Sequence, residues 1–166
     1  MSPSNIVLVG MPGSGKSTVG VILAKQTARD FIDTDILIQN VTGRSLQSIL
    51  DSDGFMALRN IEEQILCELE CRNHVIATGG SAVYSQSAME HLRADGTIVF
   101  LDVGLGVLES RELGLETRGI AKRPEQTFAE LFEERFVLYS AYADVVIACS
   151  ELSHEKVCAG VIAALG

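Results

Sequence analysis

The segment that most constrains the fold is GMPGSGKS, from Gly10 to Ser17, in which Gly10, Gly15, Lys16 and Ser17 fit the pattern G-x-x-x-x-G-K-[ST]. An apolar run, NIVLV over Asn5–Val9, precedes it, and residues 15–28 follow with Val19, Ile22 and Leu23 at helical spacing. Strand, glycine loop, helix is the context that gives this motif its meaning. Glycines free the backbone N–H groups to converge on phosphate oxygens, and the following helix adds its positive end. The loop residues Gly13, Ser14, Gly15, Lys16, Ser17 and Thr18 are therefore candidate nucleotide contacts, with Lys16 reaching the terminal phosphates and Ser17 a ligand of Mg2+.

The same alternation recurs downstream. HVIAT (His74–Thr78) precedes a helix from about Ser85, TIVFLDV (Thr97–Val103) precedes another, and DVVIA (Asp144–Ala148) precedes the last. Phe31 and Ile32 add a fifth, short strand before DTD. Nearly continuous apolar strands separated by helices predict a parallel sheet covered on both faces, a three-layer α/β fold. Residues 36–72 read as two or three helices, the last being FMALRNIEEQILCELE with Phe55, Leu58, Ile61, Ile65 and Leu69 on one stripe. Patterning is weakest in GLETRGIAKRPE (Gly114–Glu125), which reads as a mobile, basic segment over the site.

At 166 residues and 47% apolar composition, one domain with one well-buried core is expected. Thirteen Lys plus Arg against 22 Asp plus Glu give a net charge of −9, which opposes nonspecific binding to nucleic acid or an anionic membrane. Each arginine thereby becomes informative, because an anionic ligand needs the few cations gathered at its site. No apolar stretch approaches the roughly eighteen residues of a membrane span, and the opening residues lack the basic and apolar regions of a secretory leader. A cytoplasmic, monomeric protein is expected. Cys67, Cys71, Cys149 and Cys158 show no C-x-x-C spacing and read as reduced thiols.

A phosphate loop alone does not separate a GTPase, a motor ATPase and a small-molecule kinase. There is no N-K-x-D segment for guanine and no length for a motor's further domains. A kinase needs a group to orient the attacking hydroxyl, an acceptor pocket and a cover that excludes water. Asp33 and Asp35 of FIDTD lie two apart, on one side of an extended segment. Such a pair can be a turn or a helix cap, with Asp35 capping a helix from Ile36. After a short strand in a phosphate-loop protein, one carboxylate reads as a partner of Mg2+ and the other of the acceptor hydroxyl. Asp102, ending TIVFLD, competes with Asp33 as the Mg2+ anchor. Gly79 and Gly80, after HVIAT, permit a close backbone approach or form a plain strand exit. Arg59 could pair along its helix with Glu62 or Glu63. His74, His91 and His154 are isolated and read as surface or strand-end residues, and Tyr139 as core.

The order of the phosphate loop, DTD, LRNIE, TGG, the basic segment and RFVLY resembles the shikimate kinases over about Asn5–Ala148. The resemblance implies a single P-loop kinase domain of the nucleoside-monophosphate-kinase type over residues 1–166, with an acceptor-binding segment at about 34–61 and a lid at about 113–125. It implies transfer of the γ-phosphate of ATP to the 3-hydroxyl of shikimate, a step of aromatic amino-acid biosynthesis. Ser17 and Asp33 would organise Mg2+, and Asp35 would accept or orient the hydroxyl. Arg59 and Arg135 would hold the acceptor carboxylate, and Gly80 would contact the acceptor through its backbone. Arg118 matches the lid arginine that closes on the phosphates, and Arg111 a residue that packs on adenine. Catalysis then rests on Lys16, Asp35 and Arg118.

The residues themselves agree with this assignment, since the guanidinium fork of an arginine bonds both oxygens of a carboxylate. Leu50, Phe55, Leu58, Ser81 and Gly119 depart from the family pattern, most of them around the acceptor. Another small hydroxyl acid, such as homoserine or a sugar acid, is the alternative acceptor they suggest. A noncatalytic nucleotide-binding module is the reading from a different class.

Overall fold

A computed structural model describes residues 2–111 and 119–166. Five parallel strands, β1 (Asn5–Val9), β2 (Asp30–Asp33), β3 (His74–Ala77), β4 (Gly96–Asp102) and β5 (Val145–Ala148), form one sheet in the order β2-β3-β1-β4-β5. Every residue of β1 is buried, as a strand covered on both faces requires. Val7 pairs with Ile76 on one side and Ile98 on the other. From β1 the chain crosses to β2 at one edge, and only later returns to β4 on the other side of β1. That reversal opens a crevice beyond the carboxyl end of β1, where doubly wound sheets bind ligands.

Eight helices cover the sheet among the described residues. Helix α1 (Lys16–Thr27) packs with α8 (His154–Leu165). Helices α4 (Phe55–Glu68), α5 (Gln86–Ala94) and α7 (Phe128–Tyr142) meet around a short 3-10 turn at Ala82–Tyr84, with α5 and α7 against β4. Helices α2 (Thr34–Thr42), α3 (Leu46–Asp53) and α6 (Leu105–Ser110) complete the set. The expected apolar stripe of α4 divides between two cores. Leu58, Phe55, Ile61 and Ile65 join Ile38, Ile49, Leu46 and Ala121 in a small cluster of their own, whereas Leu66 and Leu69 join the main core. The helical stretch over about 34–61 thus carries its own apolar anchor beside the sheet.

Two expectations change. The fifth strand is longer than Phe31–Ile32 and ends on Asp33, because β2 is an edge strand whose polar first residue still pairs with His74. Asp33 and Asp35 do not share an extended segment. Asp33 ends the strand and caps α2, its Oδ1 accepting from the N–H groups of Asp35 (2.9 Å) and Ile36 (3.3 Å). The cap is therefore Asp33, and Asp35 lies in the first helical turn. All four cysteines are free, Cys149 and Cys158 buried, and no helix among the described residues is long and apolar enough to cross a membrane.

Candidate active site

The phosphate loop closes the gap between β1 and α1. Gly13 and Gly15 take φ of 84° and 94°, left-handed values that glycine adopts without strain. Lys16 turns back over the loop, its Nζ donating to the carbonyls of Gly10 (2.7 Å) and Met11 (2.9 Å) and lying 3.4 Å from Ser14 Oγ. Burial pushes its pKa down to about 8, against the raising influence of Asp35. Ser17 Oγ donates to Asp33 Oδ2 at 2.5 Å. Two hard oxygens beside a phosphate loop suit Mg2+, which takes few protein ligands and fills its shell with phosphate oxygens and water. Asp102 ends β4 outside this pair, and its backbone carbonyl accepts from Cys149 N. Arg111 donates from Nη1 to Gly13 O at 2.9 Å, so it holds the loop from the exposed side.

A cavity of about 680 Å3 runs from this loop to α3 and α4, where Leu46, Leu58 and Glu62 line it. Gly13, Gly15, Lys16, Ser17, Thr18, Asp35, Gly80, Arg111 and Arg135 line it. Directly behind the wall, Asp33 backs Ser17, Ser14 backs Lys16, and Gly79 backs Asp35. Half-buried Asp35 has its pKa raised, first by burial and then by Asp33, with Lys16 opposing. Arg135 lies on the buried face of α7 between Leu131 and Tyr139, one turn from each. A capping box between Thr127 and Glu130 sets the start of that helix. Arg135 Nη2 donates to Ala121 O at 2.9 Å. Tyr139 is core, as expected, but its hydroxyl donates to Gly80 O at 2.6 Å, tying the glycine turn to α7.

Arg59 does not line this cavity. It faces a second one of about 230 Å3, where its guanidinium lies 3.7 Å from the centre of the Tyr84 ring. Among the described residues it pairs with neither Glu62 nor Glu63, and its Nη2 donates at 3.3 Å to Ala121 O, the carbonyl that Arg135 also holds. Residues 112–118 lie outside the described residues, and with them Arg118 and the first part of the expected lid. Of the remainder, Gly119, Ile120 and Ala121 line the main cavity. His154, expected at the surface, is exposed but also lines the cavity beside Gly15.

Sequence reasoning gave Glu62 no role beyond a possible helix partner. It is buried, lines both cavities and accepts from Ser81 Oγ at 2.9 Å. A signal was present: Leu58, Glu62 and Leu66 stand four apart, so a carboxylate interrupts a buried helical row. Burial, reinforced by Asp35, pushes its pKa up to about 7 from 4.5. A carboxyl with a raised pKa binds its proton more tightly when folded, so its favourable contribution is complete below pH 4.5 and is lost as pH rises to about 7. Glu62→Gln should remove that slope, which amounts to about 3 kcal/mol at one pKa unit per 1.36 kcal/mol. Denaturant unfolding of both proteins at several pH values across that window measures it, and parallel stability curves would contradict it.

Gly79 explains how two carboxylates share this corner. A Cβ there would collide with the Glu62 carboxylate and sit 2.7 Å from Asp35 Oδ1. Both side chains can swing aside at modest cost in stability, but Asp35 would leave its position. Gly79→Ala is therefore expected to lower kcat by about 10²-fold, with only a small change in Tm. Steady-state kinetics alongside thermal unfolding would separate these effects.

Comparison with known proteins agrees with this geometry. The family model described as shikimate kinase matches residues 12–166. The shikimate kinase of Rippkaea orientalis is 41% identical over 150 residues, spanning 89% of this chain and 79% of that one. That of Thermodesulfovibrio yellowstonii is 34% identical, spanning 95% and 92%. Among solved structures, the shikimate kinase from Acinetobacter baumannii in complex with shikimate superposes with a TM-score of 0.90 at 30% identity, covering 98% of this chain and 93% of that one. A sugar kinase from Janibacter, at 18% identity and a TM-score of 0.59, shares the fold alone. Matched by the family model over residues 12–166 and by relatives of 34–41% identity over most of its length, the chain belongs to the shikimate kinase family.

Proposed function

We propose that this chain transfers the γ-phosphoryl group of ATP to the 3-hydroxyl of shikimate. The observation that carries the reading is the single cavity shared by the phosphate loop, Asp35 and Arg135 in an otherwise acidic protein. Asp35 orients the acceptor hydroxyl and takes its proton as the new O–P bond forms and ADP departs. Lys16 lies against the developing negative charge of the phosphates. Ser17 and Asp33 would hold Mg2+, which would supply charge neutralisation on the phosphate oxygens. Arg135 grips the acceptor carboxylate with Arg59 behind it, and the backbone at Gly79 and Gly80 allows the acceptor to come close. Arg111, which holds Gly13 O, faces the nucleotide side, and by the resemblance Arg118 would act on the phosphates. The protein would act as one domain, as a monomer in the cytoplasm.

A panel of acceptors in one coupled assay of ADP release tests the reading. Turnover with shikimate, and little with homoserine or sugar acids, is expected. Preference for one of the other hydroxyl acids would transfer the assignment to it, and no acceptor-dependent ADP release would leave a nucleotide-binding module.

A further inference from the structure

We infer that Tyr84 is a positioning residue that orients Arg135, and Arg59 behind it, for the grip on the acceptor carboxylate. The inference rests on the reading of Arg59 and Arg135 given above. Tyr84 ends the 3-10 turn that follows Gly79-Gly80-Ser81, a turn whose Ala82 and Val83 are buried and whose Tyr84 N–H donates to Ser81 O. The ring therefore projects from a rigid base. One face carries the Arg59 guanidinium, 3.7 Å from the ring centre. The Arg135 guanidinium lies 5.5 Å from the same centre, and its Nε donates to the Tyr84 hydroxyl at 3.4 Å. One side chain thus touches both arginines.

Two like charges that converge on the Ala121 carbonyl repel one another, which favours an alternative direction for Arg59. For Arg59 that alternative is close by, because Glu62 and Glu63 stand three and four residues along its own helix, the spacing at which opposite charges pair. The structure shows neither pairing among the described residues. Glu62 accepts from Ser81 instead, and the electron-rich face of Tyr84 takes the guanidinium. The turn after the glycines thus separates acid from base: Ser81 retains Glu62 and Tyr84 retains Arg59. Phe55, with its ring centre 5.1 Å from the same guanidinium, closes the opposite flank. Burial lowers the pKa of Arg59, in keeping with a cation held by a ring instead of by water.

Tyr84→Leu should raise the KM for shikimate about tenfold and leave the KM for ATP unchanged, while Tyr84→Phe, which keeps the face, should restore most of the loss. A role through the carboxylate grip should affect shikimate and spare its methyl ester, so kcat/KM is measured for both. The 1H–15Nε spectrum of the arginines gives a second readout independent of turnover: the Arg59 signal should shift in the leucine variant, through loss of the ring current, and not in the phenylalanine variant. If Tyr84→Leu does not fold, Tyr84→Met removes the ring with a slimmer side chain. Equal losses on acid and ester, or an Arg59 signal indifferent to residue 84, would overturn the inference. A wild-type protein inert toward shikimate whose Arg59 signal still depends on Tyr84 would overturn the substrate assignment and leave the positioning standing.

Discussion

Asp35→Asn is expected to lower kcat by about 10²–10⁴-fold, the range for loss of a positioned general base, with the KM for ATP nearly unchanged. The amide preserves the shape of the side chain, so α2 and its Asp33 cap should remain as they are. What disappears is the ability to take the proton of the attacking hydroxyl. Asp35 lines the cavity between the phosphate loop and Arg135, and burial together with Asp33 raises its pKa, which favours proton acceptance. The raised pKa also sets the sign of the pH effect. The reactive carboxylate is lost as pH falls through its folded-state pKa, so the wild type should show an acid limb in kcat that the asparagine variant lacks. Steady-state rates across pH measure both effects, and a variant retaining more than about a tenth of wild-type kcat would remove Asp35 from the chemistry.

Lys16→Ala is expected to cost about 10²–10³-fold in kcat/KM for ATP, the scale of one preorganised electrostatic contact. Here the loss has two sources. The ammonium holds the carbonyls of Gly10 and Met11, so its removal strips buried acceptors of a donor, at about 1–3 kcal/mol of stability. It also removes the cation proposed to meet the phosphates. The pKa of about 8 makes these separable, because kcat/KM reports the free enzyme. A lysine with a lowered pKa is charged below that value and neutral above it. The wild type should therefore lose kcat/KM as pH rises past about 8, and the alanine variant should not. Unfolding measurements on the two proteins give the structural share of the loss. An alanine variant with near-normal kcat/KM would refute the role.

Both residues were legible in the sequence, and the reasons differ from those that hid their neighbours. Lys16 belongs to a contiguous motif whose geometry is set by local glycines. Asp35 stands two residues from Asp33 after a strand, yet which of them caps α2 depends on where the strand ends, and that is settled by the pairing of Asp33 with Ala77 at the sheet edge. Glu62 was half legible, as a charge in the buried row of Leu58 and Leu66. Tyr84 carried no signal, since nothing local in a three-residue turn reports that guanidiniums from α4 and α7 meet on its ring.

The strand and helix periods and the phosphate loop were readable from the sequence because each depends on neighbours within a turn or a strand, and the family from the order of its motifs along the chain, whereas the second small core around Ile38 and Ile49 was not. The tertiary structure alone decided the strand order, the capping role of Asp33, the burial of Glu62 beside Asp35, and the meeting of Arg59 and Arg135 at the Tyr84 ring. Those depend on contacts between residues dozens of positions apart. Their energies come from burial, and burial exists only once the layers have closed over the sheet.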